Sequence, residues 1–132
     1  MHLIVCVDDR DGMSFCGRPL SRDRELNAHM LRLTEGKKLW MSPNTAILFP
    51  EGAVFAAEDF LSRASDGDYC FAETALPDDT VFPESVTLYH WNRAYPSTVR
   101  FPRKLLEGMR LVYTEEFPGN SHETITVERF EP

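Results

Sequence analysis

The sequence predicts one α/β domain, residues 1–132, built on a mixed, mostly parallel sheet with flanking helices. Three observations lead there. Short apolar runs alternate with amphipathic segments through the first 72 residues, the pattern of strands joined by helical crossovers. The opening HLIVCV is nearly continuously apolar, as a strand covered on both faces should be. After Pro83 the texture turns to alternating, β-rich segments that can add antiparallel strands. A chain of 132 residues suits a single core, and 42% hydrophobic with 27% charged residues is an ordinary globular balance. Fourteen basic against 21 acidic residues give a net charge of -7, which argues against a nonspecific phosphate binder.

The elements follow in order. Residues 2–7 form the first strand and residues 8–12 (DDRDG) a turn. Ser21 caps a helix carrying Asp23 and Glu25 in its first turn, where the dipole favours acids. Leu26, Met30 and Leu33 make its apolar stripe, and Gly36 stops it. Residues 38–41 are a second strand, Pro43 opens a helical start, and 45–49 form a short helix ended by Pro50 and Gly52. Residues 53–57 are a strand, 58–65 a helix and 69–72 a strand. Along 86–93, Val86, Leu88 and His90 share one face, and Thr87, Tyr89 and Trp91 the other. Residues 103–107 make a helical turn. Residues 110–115 and 124–130 are strands joined through the turn Pro118-Gly119-Asn120.

Residues 1–7 lack a basic region, a long apolar run and a cleavage site, so no signal peptide is expected there. No stretch approaches the roughly 18–20 apolar residues of a membrane span. Cys6, Cys16 and Cys70 are odd in number and widely spaced, which suits reduced thiols and a cytoplasmic location. Cys6 and Cys70 lie in apolar runs and read as buried, inert thiols.

Several motifs in this order resemble dihydrofolate reductase. Leu3-Ile4-Val5-Cys6-Val7-Asp8 and Gly12-Met13 resemble its first strand and the loop after it. Pro19-Leu20-Ser21-Arg22-Asp23 resembles the loop and helix start that present an acid to the pterin ring, and Asp23 falls on that acid. Leu39-Trp40-Met41-Ser42-Pro43-Asn44-Thr45 resembles the second strand and its turn, including the family's threonine. Val86-Thr87-Leu88-Tyr89, Phe101-Pro102 and Asn120-Ser121-His122 resemble a late strand, a phenylalanine-proline pair and the closing hairpin. The resemblance spans nearly the whole chain and implies that family's fold in reduced form.

The departures bear on function. Ser42, Pro43, Thr45 and Ala46 stand where the family has glycine, a basic residue and threonine-tryptophan, so the cofactor-phosphate cation is missing. The family's paired glycines after a middle strand let backbone N–H groups approach a pyrophosphate. Here that strand runs into Glu73-Thr74, where side chains block the approach and Glu73 repels phosphate. No arginine occurs between Arg32 and Arg63, where the family places a folate-tail arginine. The resemblance therefore implies a scaffold without the nicotinamide-cofactor site, and no cofactor is expected.

A second resemblance covers Gly67-Asp68-Tyr69-Cys70-Phe71, the run 88–93 and the run 114–123. These look like a group of small bacterial proteins, some labelled ribonuclease Z. That enzyme's chemistry needs dense His and Asp metal ligands. His2, His29, His90 and His122 are scattered, so no metal site is expected.

Asp23 is the sharpest catalytic candidate: a carboxylate at a helix start can bond a pterin or pyrimidine edge, or pass a proton through water. Its plainer role is a first-turn acid favoured by the dipole. Phe15, Trp40, Thr45 and Phe49 are the candidate ligand-binding residues. Asp8, Asp9 and Asp11 look like a calcium loop, but Val7 and Arg18 occupy places that need acids. Ser121-His122-Glu123 holds a hydroxyl, an imidazole and a carboxylate, yet neighbours along a strand point to opposite faces, so this run alone cannot make a triad. Three readings follow. One is a binder of a pterin- or nucleotide-like small molecule. Another is an RNA-acting protein using Arg93, Arg100, Arg103 and Lys104, although the net charge of -7 argues against nucleic acid as a partner. The last is a non-catalytic interaction module, self-associating as a homodimer.

Overall fold

The computed structural model describes residues 1–76 and 82–132. Its main sheet has seven strands. In chain order these are β1 (His2–Val7), β4 (Leu39–Met41), β5 (Phe55–Ala56), β6 (Tyr69–Phe71), β7 (Ser85–His90), β9 (Arg110–Phe117) and β10 (Ile125–Glu131). Their spatial order is β5-β4-β6-β1-β7-β10-β9. The four pairings from β5 to β7 are parallel, and β10 pairs antiparallel with both β7 and β9. The expected mixed, mostly parallel sheet is what the chain builds.

β1 sits at the centre because its sequence can be buried on both faces. Ile4 and Cys6 join a cluster with Leu26, Met30, Tyr89 and Trp91 on one face. Leu3, Val5 and Val7 join Met13, Val86, Leu88 and Phe101 on the other. The two-residue period thus feeds two cores. Helix α1 (Arg24–Leu33) closes the first face by burying Leu26 and Met30 four residues apart. Two one-turn helices, α2 (Pro43–Ala46) and α3 (Phe60–Arg63), complete the crossovers.

Three expectations need correction. The predicted cap of α1 was Ser21, but Asp23 takes the position, its carboxylate accepting from the N–H groups of Glu25 and Leu26. Both residues are good caps, and the chain turns helical only after the second. The segments expected at 45–49, 53–57 and 58–65 are shorter, with α2 beginning at Pro43 and β5 holding two exposed residues. Finally, a second sheet was not foreseen: β2 (Gly12–Phe15) pairs with β3 (Arg18–Pro19) and β8 (Val99–Arg100). Its strands carry too few residues to show a period. A 3-10 turn, Arg103–Leu106, stands where the helical turn was expected.

Thr87, at the middle of β7, is fully buried, and its Oγ1 has no hydrogen-bond partner among the described residues. A buried unpaired hydroxyl costs free energy that an isosteric methyl does not. Thr87→Val should therefore raise stability by about 1 kcal/mol, read as a higher urea midpoint at unchanged slope.

Candidate functional site

Two neighbouring clusters form where the segment before α1 meets the turn between β9 and β10. The first surrounds Asp23, whose side chain is buried. Its Oδ1 accepts from Glu25 N (2.9 Å), Leu26 N (3.3 Å) and Asn120 N (2.9 Å). Its Oδ2 accepts from Ser121 N (2.8 Å), Ser121 Oγ (3.2 Å) and His122 Nδ1 (2.9 Å). Burial pushes this carboxyl up. The Asn120 N–H, the His122 ring and the N–H groups of Ser121 and Glu25 outweigh burial and hold it well below the usual carboxylate range. All six donors belong to the chain itself, so Asp23 is first the clasp between α1 and the far hairpin.

His122 continues the network. A carboxylate can only accept, so Nδ1 donates to Asp23, and Nε2 is left to face the hydroxyls beyond it. That Nε2 lies 2.9 Å from Ser21 Oγ and 3.3 Å from Tyr95 Oη. The ring stacks on buried Trp91, with centroids 4.6 Å apart. Gly119 makes the close approach possible: a Cβ there would stand 2.7 Å from His122 O and 2.8 Å from Asp23 Oδ2.

The second cluster surrounds Glu73, buried just beyond β6. It accepts two bonds from the Arg22 guanidinium, 2.9 and 3.0 Å, and a third from Thr45 Oγ1 at 2.9 Å. Between these groups and the core strands a void of about 10 Å³ remains, lined by Cys6, Ser21, Arg22, Phe71, Glu73 and Trp91 among others. That is room for roughly one water molecule.

On the outer side of Asp23 lies a cleft of about 430 Å³. Ala28 and Leu31 of α1 form one wall, Leu48, Phe49 and Pro50 the other, with Arg22, Arg24 and Asn27 also lining it. Asn120 and Ser121 add the hairpin turn, and Arg24 Nη2 donates to Asn120 Oδ1 at 2.6 Å.

The structure brings together only some of the expected residues. Asp23 and Phe49 line the cleft, and Thr45 reaches Glu73. Trp40 lines neither cavity: its Nε1 donates to Asp68 (3.1 Å) and its ring lies against Phe55. Phe15 also lines neither and stands 46% exposed at the end of β2. Ser21 was expected only as a helix cap and His122 only within the run 121–123; that the two meet each other and Tyr95 was not foreseen. Their partners lie up to 101 residues away, and no local spacing betrays them.

The acidic turn after β1 is also committed internally. Asp8 accepts from the N–H groups of Arg10, Gly12 and Tyr95, and Asp11 pairs with Arg103. Among the described residues, no three or more His, Cys, Asp and Glu side chains gather to hold a metal ion. None of the described helices is long and apolar enough to cross a membrane. Cys6 and Cys70 are buried as expected, and burial pushes the Cys70 thiol up to about 12.

The strand order, and a cleft between the first helix and the segment after the second, define a dihydrofolate-reductase-like fold. Among solved structures, the chain is similar to dihydrofolate reductase from Enterococcus faecalis complexed with NADP(H) and RAB-propyl, at a TM-score of 0.65. The match covers 98% of this chain and 94% of that one at 11% identity, which establishes the fold alone. No family model matches the sequence, and neither does any curated protein. The ribonuclease Z resemblance gains no support from these comparisons.

Proposed function

We propose that the chain binds a small, flat, pterin- or nucleotide-like molecule carrying an anionic group, in the cleft between α1 and the 48–50 segment, without a nicotinamide cofactor. The observation that carries this reading is the lining of the cleft. Ala28, Leu31, Leu48 and Phe49 offer an apolar slot for a ring, and Arg24 offers positive charge beside it. Asp23 holds Asn120 and Ser121 in place as part of the wall, so its role is positioning.

The nicotinamide dinucleotide fits this chain poorly. Where a pyrophosphate would need bare backbone N–H groups beyond β6, Glu73 stands with a buried carboxylate locked by Arg22 and Thr45. The remaining void holds about one water. Arg22 is also tied to Glu73 and is not free to receive a phosphate.

Thermal unfolding with added pteroate, folate or NADPH tests both halves. A ligand present at about 100 times its Kd stabilises by about 2.7 kcal/mol, a shift of several degrees in Tm. Pteroate or folate is expected to give such a rise, and Phe49→Ala to reduce it. Silence with both compounds would remove the binding reading. A comparable rise with NADPH would overturn the account of Glu73.

A further inference from the structure

We propose that Ser21, His122 and Asp23 form a nucleophilic relay that transfers short acyl groups from esters to water, independently of the ligand cleft. The three residues satisfy the geometry such a relay needs. Ser21 Oγ is 2.9 Å from His122 Nε2, and His122 Nδ1 is 2.9 Å from Asp23 Oδ2. The far end is fixed by further donors, since Asp23 also accepts from three backbone N–H groups within 2.9 Å and from Leu26 N at 3.3 Å. The imidazole is clamped against Trp91, so its Nε2 is held toward the hydroxyl. Asp23 and His122 are buried and Ser21 is half-buried, which puts the hydroxyl at the accessible end of the chain of bonds. A turn that needed only a structural latch could use the Asp23 contacts alone. Carrying the ring on to a partly open hydroxyl is what a nucleophile requires.

The void beside Ser21 sets the substrate class. At about 10 Å³, bounded by Cys6, Met13, Phe71 and Trp91 and by the paired Arg22 and Glu73, it has room for a methyl-sized group. The acyl group is therefore acetyl-sized. In the first step Ser21 Oγ bonds to the ester carbonyl carbon while its proton passes to His122 Nε2. The carbon–oxygen bond to the alcohol then breaks, and the leaving alcohol takes that proton. Water repeats the sequence on the acyl-serine, releasing the carboxylic acid and restoring Ser21. No oxidant, reductant or metal enters the balance.

The test uses the full chain carrying Cys16→Ala, because the exposed Cys16 thiol is a competing nucleophile. Mixing with p-nitrophenyl acetate should release p-nitrophenol in a burst of one equivalent, and peptide mass mapping should place the acetyl group on Ser21. Ser21→Ala, with folding checked by circular dichroism, should abolish the burst. His122→Gln should slow it by about 100-fold or more, the lower range for a general base. p-Nitrophenyl octanoate should react far more slowly than the acetate. Acetyl groups found only on lysines, or a Ser21 adduct that forms equally well in urea, would overturn the proposal. Because the mapping is done on otherwise unmodified Ser21 and His122, it decides the matter even if the His122 variant fails to fold.

Discussion

Asp23→Ala is expected to lower the unfolding free energy by about 3–5 kcal/mol. The loss of a helix cap alone costs about 1 kcal/mol. The same substitution leaves the N–H groups of Asn120 and Ser121 and the Nδ1–H of buried His122 without their acceptor, and each buried unpaired donor adds about 1–3 kcal/mol where water cannot replace it. Against a total stability of roughly 5–15 kcal/mol this is a large share. Urea unfolding at neutral pH measures it, and a midpoint within experimental error of the parent would refute the clasp. The acid limb gives a second readout. The folded-state carboxyl is held below its unfolded value of about 3.9. Its contribution is therefore complete above that value and is lost as pH falls toward the folded-state value. Between pH 4 and pH 2 the parent should lose stability more steeply than the variant, so that the two curves converge in acid.

Gly119→Ala should cost about 1–3 kcal/mol, the usual penalty for forcing atoms into a filled space. The added Cβ meets a backbone carbonyl, His122 O, at 2.7 Å and a carboxylate held by six donors at 2.8 Å, so neither neighbour can swing aside. Ile125 Cδ1 at 3.0 Å closes the third side. Backbone conformation plays no part, because Gly119 does not occupy the left-handed region. The penalty should shrink in the Asp23→Ala background, where one of the colliding atoms is gone. A double-mutant cycle checks this: the two costs should combine to less than their sum. Strict additivity would mean that the glycine serves the turn alone and not the clasp.

The fold was largely legible because burial on two faces leaves a plain mark. HLIVCV carries the mark of a strand covered on both faces, and the Leu26–Met30–Leu33 spacing that of a helix face. The split of 86–91 into two faces reappears as two clusters, Val86 and Leu88 in one, Tyr89 and Trp91 in the other. The small sheet of β2, β3 and β8 escaped because strands of two to four residues are too short to show a period. The site was legible only in fragments. Asp23 stood out by its place at a helix start, on the resembled family's acid, and Glu73 by standing where that family has its paired glycines. Its partner Arg22 is 51 residues from Glu73, and the Asp23–His122 contact spans 99 residues. Contacts over such separations arise from topology, and no local pattern carries them. Trp40 and Phe15 were singled out as large aromatic residues near the right motifs, but Trp40 turns to Asp68 and Phe55, and Phe15 stands exposed at the end of β2.

The position of β1 has a consequence during synthesis. The innermost strand precedes both of its neighbours, Tyr69–Phe71 and Ser85–His90, which leave the ribosome more than 60 residues later. Until they arrive, HLIVCV has no partner and stays a sticky β-forming tract, the kind that chaperones shield. The helix start at Asp23 is likewise finished only when residues 120–122 emerge. The domain therefore cannot fold piecewise from β1 onward; it closes once residues 120–122 are in place, with the β9–β10 hairpin as the bolt.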